Sequence, residues 1–314
     1  MALDPRTPVI VGVGQYKQQL DDVTEAKEQY ELMVEALRLA ASDAECAALL
    51  GAIDRLLVIG GMWRYPDPGR LVADAVGSPD AATYLTAMGG NMPQACVSDA
   101  AERVLAGQND VVVITGGEAV YSKNKLRKMG RDLGRTGYDL PPAARFGDDV
   151  TMSSEHEQSL GFVIPTAIYP LFESAVRAAS GRTLDEHRAF LGELWADFNA
   201  VAVANPHAWV RTPMTAEEIV TPSPANRMVG LPYTKAMNAN SFVDFGGAII
   251  VCSVEKAEAL GVPHDRWAFI HSGTDGHASS LFSERDNFHT SPAIRHTGTA
   301  ALELAGIGID DVAH

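Results

Sequence analysis

Gly89-Gly90-Asn91-Met92-Pro93-Gln94-Ala95-Cys96-Val97-Ser98, followed by Asp110-Val111-Val112-Val113-Ile114-Thr115-Gly116-Gly117, is the stretch on which the reading of this chain turns. The first part reads as the opening of a helix that runs to about Gly107. Asn91 is its natural N-cap, and Pro93 is tolerated in the first turn because the amide it lacks has no intrahelical acceptor there. Met92, Cys96, Ala100 and Val104 recur every fourth residue and make one apolar stripe. The second part is an unbroken apolar run that ends at two glycines, the pattern of a strand covered on both faces.

The same alternation continues upstream. Val9 to Val13 reads as a strand, followed by a helical stripe of Ala26, Tyr30, Met33, Val34, Leu37 and Ala41. Arg55 to Ile59 is a second strand, Arg70 to Val76 a short helix, and Tyr84 to Ala87 a short strand. This β-α-β-α order predicts an α/β fold with a largely parallel sheet between helices. In such sheets, ligands bind beyond the carboxyl ends of the strands.

From Tyr121 to about Ser241 the texture changes to a basic loop, two or three amphipathic helices, and a proline-rich piece from Pro206 to Pro232. The clearest helix covers Leu184 to Ala204. This region reads as a long insertion. Strand character returns at Gly247 to Cys252, with a helix at Val254 to Leu260. Another strand is expected at Trp267 to His271, then a helix from Ser291-Pro292 to Gly306. Ile309 to His314 reads as the beginning of a further strand.

The bulk composition excludes several classes. The chain has 314 residues, 46% hydrophobic and 21% charged, with a formal charge of −15. That field repels nucleic acid and anionic membranes. No run approaches the roughly 20 apolar residues of a membrane span. The N-terminus lacks the basic-then-apolar pattern of a secretory signal. Cys46, Cys96 and Cys252 are odd in number and widely spaced, which fits neither a disulfide framework nor a zinc motif. A cytoplasmic address is the expectation.

Three features could carry chemistry. Cys96 could be a thiolate nucleophile for acyl transfer, because amide groups near a helix N-terminus lower a thiol pKa. Its place in the apolar stripe equally fits a buried core cysteine. Lys123, Lys125, Arg127, Lys128, Arg131 and Arg135 put six cations within 13 residues of an acidic chain. Such a patch attracts phosphates, and it equally fits a solvated loop or a subunit contact. Gly12-Val13-Gly14 follows a strand, but Lys17 stands where a dinucleotide fingerprint needs its third glycine. His271, His277, His289 and His296 have no compact ligand spacing, so no metal is expected.

Three blocks in this order resemble the thiolase superfamily. Gly89 to Ser98 resembles the helix that carries the nucleophilic cysteine, usually Cys-x-Ser-Gly. Ala216-Glu217-Glu218-Ile219-Val220 resembles the end of the thiolase loop domain. Met237-Asn238-Ala239-Asn240-Ser241-Phe242-Val243-Asp244-Phe245-Gly246-Gly247-Ala248 resembles the Asn-Ala-Ser-Gly-x-x-Asp-Gly-Ala-Ala stretch that returns the chain to the first half of the fold. Tyr169-Pro170-Leu171-Phe172-Glu173 and Asn205-Pro206-His207-Ala208-Trp209 look nearest to the thiolase-like type 1 group, related to sterol-carrier-protein thiolases. Asp99 departs from the motif's Gly, and Asn240-Ser241 from Ser-Gly.

The resemblance implies a layered α-β-α-β-α fold with a complete first half and a truncated second half. Its expected parts are an N-terminal domain at 1–120, a CoA-binding loop domain at 121–239, a return at 240–262, and the start of the second domain at 263–314. It implies acyltransferase chemistry on acyl-CoA thioesters, of the acetyl-CoA acetyltransferase kind and belonging to lipid metabolism. Cys96 would be the nucleophile, with CoA contacts at Lys125, Arg127, Arg131 and Asn240. No cofactor is implied beyond CoA as substrate. The family's Glu-Ala-Phe-type, Gly-His-type and second-cysteine motifs fall after the helix matched by Pro292 to Ala305, so the chain alone is expected to be inactive. A non-catalytic acyl-CoA or lipid-thioester binder is the alternative. A homodimer or a missing second half is the expected protein partner, with no nucleic acid and no membrane span.

Overall fold

The fold is a computed structural model that describes residues 3–313. The chain divides into two compact units. The first comprises Met1–Asp149, Ser241–Asp275 and Ala301–His314, and the second Val150–Asn240 and Gly276–Ala300.

In the first unit the elements run β1 (Pro8–Lys17), α1 (Gln29–Asp43), β2 (Arg55–Val58), α2 (Pro68–Val76), β3 (Ala82–Thr86), α3 (Met92–Leu105), β4 (Val111–Ala119), α4 (Val120–Lys128) and β5 (Ala144–Phe146). The second unit supplies α5 (Glu155–Ser159), α6 (Pro165–Ala179), α7 (Leu184–Ala204), α8 (Ala216–Val220), β6 (Met228–Gly230) and β7 (Tyr233–Thr234). The chain then returns to the first unit as β8 (Asp244–Ser253), α9 (Val254–Leu260) and β9 (Ala268–Phe269), and α10 (Pro292–Ala305) begins in the second unit and ends in the first.

The sheet of the first unit is ordered β5-β3-β2-β4-β8-β1-β9. Strands β5, β3, β2 and β4 are parallel, whereas β8 runs antiparallel to both β4 and β1, and β9 antiparallel to β1. The expected largely parallel sheet is therefore mixed. The reason is topological: β8 arrives from the insertion and slots between β4 and β1, pairing Val111 with Cys252 and Val9 with Cys252.

Alternate strand residues face opposite layers, as the two-residue repeat requires. Val9, Val11, Leu56, Val58, Val111, Val113, Ile250 and Cys252 point to the layer that holds α1 and α2. Leu57, Val112, Ile114 and Val251 point to α3. Helix α1 lies unusually close to the sheet. A Cβ on Gly12 would stand 2.2 Å from the Ala40 carbonyl oxygen, and one on Gly14 2.0 Å from that of Ala36. The Gly12-Val13-Gly14 pattern is thus a helix–strand packing device.

Three other expectations shift. The basic segment after Tyr121 opens as helix α4 rather than as a loop. The strand at Trp267 to His271 shrinks to the two residues of β9. Ile309–Asp311 forms a 3-10 turn instead of a strand, and His314 lies outside the described residues.

The second unit has its own small core of Leu191, Ile219, Val220 and Met237. Helix α7 covers the residues expected for it and opens on a capping box of Thr183 and Glu186. Glu157 of α5 is buried, caps its own helix, and accepts the Ser283 amide at 2.9 Å. Helix α10 buries none of its residues. Among the described residues, no helix is long and apolar enough to cross a membrane.

Candidate functional site

Cys96 is the fifth residue of α3, on the stripe with Ala100 and Val104 that packs against the sheet. It is fully buried, among Leu57, Val112, Ile114 and Val251. The geometry thus realises the core-cysteine arrangement of the stripe. Burial pushes the thiol up to about 12, the Asp99 carboxylate adds to this, and Arg55 opposes it. A thiol on the fifth helical residue lies beyond the first turn, where the helix dipole acts most strongly. Asn91 occupies the N-cap position but makes no side-chain capping bond, because its backbone is already helical. The loop after β9 crosses the outer side of α3, where a Cβ on Gly273 would come within 2.6 Å of Ser98 Oγ.

Asp99 has a clear structural task. It accepts Arg55 Nη2 at 3.1 Å and Arg103 Nε at 2.9 Å. Arg55 is buried at the start of β2, its guanidinium 3.8 Å from the centre of the Tyr84 ring. A glycine at position 99 would leave that cation without its carboxylate. The departure from the motif therefore follows from the buried arginine, whose pairing could not be read from the sequence.

Helix α4 carries the cations. Its first amides find acceptors outside the helix: Val120 N–H donates to the Val243 carbonyl at 3.1 Å, and Ser122 N–H to Asp244 Oδ1 at 3.1 Å. Ser122 Oγ also donates to the buried Asp244 carboxylate. Lys125, Arg127 and Lys128 occupy the last turn, where the negative end of the helix dipole favours them. The loop that follows is pinned to α1 by Glu28, which accepts Thr136 Oγ1 at 2.6 Å, Thr136 N–H at 3.1 Å and Tyr65 OH at 2.6 Å. Gly134 is required there, with φ +135° and a virtual Cβ only 2.4 Å from Glu28.

The six cations are not equivalent. Lys125 Nζ lies 4.4 Å from the centre of the Tyr121 ring, and Arg135 pairs with Asp132 at 2.8 Å. Arg131 is exposed and within electrostatic reach of Asp22. Arg127 and Lys128 are exposed and pair with no carboxylate among the described residues. Asn240 is exposed at the end of a segment of the second unit. Lys125, Arg127 and Arg131 thus share one stretch of the first unit with Cys96, and Asn240 belongs to the other unit. Sequence reasoning assigned no role to Glu28 or Asp244. Asp244 stood inside a quoted motif and was the available signal.

His271, His277, His289 and His296 are exposed, and among the described residues no group of three His, Cys, Asp or Glu gathers as a metal site. Cys46, Cys96 and Cys252 are all buried free thiols.

A mixed sheet layered between α1–α2 and α3, interrupted by a mostly helical insertion, defines an α/β protein of thiolase type. The chain belongs to the thiolase superfamily. It is 31% identical to a monomeric SCP2-thiolase-like protein type 1 from Mycobacterium smegmatis, with a TM-score of 0.81, over 99% of this chain and 60% of that one. The chain therefore spans less than two thirds of that relative. The Ltp2-ChsH2(DUF35) aldolase matches at 21% identity and a TM-score of 0.69, over 98% of this chain and 72% of that one. An acetyl-CoA acetyltransferase from Syntrophomonas wolfei matches at 17% and 0.58, over 99% and 78%. These last two share the fold. No family model matches the chain, and no curated protein matches it.

Proposed function

We propose that this chain binds an acyl-CoA thioester without turning it over. The observation that carries this reading is Cys96: a fully buried thiol raised to about 12 presents almost no thiolate at neutral pH. Acyl transfer through a cysteine needs that thiolate and donors for the developing oxyanion. Binding needs neither. For binding, the exposed end of α4 supplies fixed cations in a chain of net charge −15. CoA carries a pyrophosphate and a 3′-phosphate, which suit Arg127 and Arg131 as charge-assisted partners, with Lys125 beside them. Asn240 is retained as a proposed polar contact of the ligand. Three free thiols fit a reducing, cytoplasmic setting.

The transferase of acetyl-CoA acetyltransferase type is the second reading, favoured by the position of Cys96 on α3 within a thiolase fold. Calorimetry with CoA tests the binding reading. Saturable binding should weaken about tenfold in Arg127→Glu, since a hydrogen bond to a charged group contributes about 1.5–3 kcal/mol. It should also weaken with added salt. Equal affinity in the wild type and the Arg127→Glu variant would remove α4 from the account.

A further inference from the structure

Glu28, at the N-terminus of α1, touches no ligand in the acyl-CoA reading, yet it holds the segment on which that reading depends. Its backbone N–H donates to Glu31 Oε2 at 2.7 Å, which fixes it at the start of the helix. The residue is 8% exposed. Its carboxylate takes three hydrogen bonds, from Tyr65 OH at 2.6 Å, Thr136 Oγ1 at 2.6 Å and Thr136 N–H at 3.1 Å. Tyr65 is itself buried, with its ring centre 5.6 Å from that of Trp63 and 5.1 Å from that of Tyr138. All three donors are uncharged, so the anchor takes up none of the neighbouring cations.

The segment needs such an anchor. Gly130, Gly134 and Gly137 have φ of +73°, +135° and +69°. Three glycines so close together leave an untethered chain many conformations. At the start of the segment, Arg131 N–H donates to the Leu126 carbonyl at 3.0 Å and closes the end of α4. Glu28 holds the other end at Thr136. Arg131 and Arg135 therefore lie between two fixed points, and both are exposed. A fixed cation binds a phosphate more tightly than a mobile one, because its ordering precedes the ligand.

We infer that Glu28 is a positioning residue: by gripping Thr136 it holds the cationic segment in the conformation that receives the phosphates of CoA. The inference rests on the acyl-CoA reading above. Calorimetry of the full chain with CoA tests it in four forms: natural, Arg131→Glu, Thr136→Val and Thr136→Ser. Thr136 is exposed, so neither of its replacements disturbs the core. Losing one hydrogen bond to a charged acceptor shifts the loop equilibrium about tenfold, and apparent affinity falls with the fraction left in the binding form. Thr136→Val should therefore bind CoA about fivefold more weakly, whereas Thr136→Ser, which keeps the hydroxyl, should stay within about twofold of the natural chain. A purely structural stitch would lower the unfolding midpoint of Thr136→Val and leave the affinity of the folded chain alone. Should Thr136→Val fail to fold, Gly134→Ala repeats the comparison. Its Cβ would stand 2.4 Å from Glu28 Oε1, forcing the loop off its anchor without changing any charge. Equal affinity in the natural chain and Thr136→Val, or equal weakening in Thr136→Val and Thr136→Ser, would overturn the positioning role; with Arg131→Glu still weakened, the acyl-CoA reading would stand. No saturable CoA binding by the natural chain would bring down both.

Discussion

Cys96 shows how little a residue's type says about its reactivity. The sequence offered a nucleophile and a core cysteine in the same position, and the fold surrounds the sulfur with Leu57, Val112, Ile114 and Val251. With the thiol near 12, its thiolate fraction at pH 7 falls about a thousandfold below that of a free cysteine. Iodoacetamide labelling of the folded chain, read by peptide mass spectrometry, should leave Cys96 unmodified at pH 7 and label it after denaturation. Asp99 gives a second residue-scale expectation. Asp99→Gly, which restores the family's motif, should destabilise the chain by about 3 kcal/mol in urea titrations, because it strands the buried Arg55. Glu157 gives a pH dependence. Its pKa is held down to about 2 by its hydrogen bond to Ser283, opposed by burial, with the Ser283 and Ser154 amides adding to the lowering. A depressed carboxyl pKa contributes stability that is full above the ordinary value of about 4.5 and is lost as pH falls through 2. The Ser283 amide should therefore lose protection on acidification from pH 5 to 2, and Glu157→Gln should flatten that profile.

At the scale of elements, most helices and strands of the first unit were legible because periodicity records which face is covered. Helix α7 and helix α9 fall where the sequence placed them. Helix α4 was read as a loop because its cations obscure the buried positions Ser122 and Leu126, and because its cap comes from Asp244, far away in sequence. The mixed sheet escaped notice for the same reason, since its antiparallel half depends on where β8 inserts. The contact between α1 and β1 was hidden in two glycines. Gly14→Ala should destabilise by about 1–3 kcal/mol or more through overpacking against the Ala36 carbonyl. Gly247→Ala meets nothing within 4 Å and should stay within about 0.5 kcal/mol of the natural chain. Chemical denaturation of the two variants compares them directly.

At the scale of the whole molecule, the thiolase character was visible in three short blocks, whereas the state of the site was not. Motif spacing identifies a backbone path. Burial of Cys96, the pairing of Asp99 and the pinning of the cationic segment by Glu28 all depend on contacts between distant residues. Native mass spectrometry of the chain mixed with acetyl-CoA tests the central claim most directly. The account predicts a complex of chain plus intact acetyl-CoA under native conditions, and an unmodified chain once the same sample is denatured. An acetyl group retained on Cys96 after denaturation would contradict it.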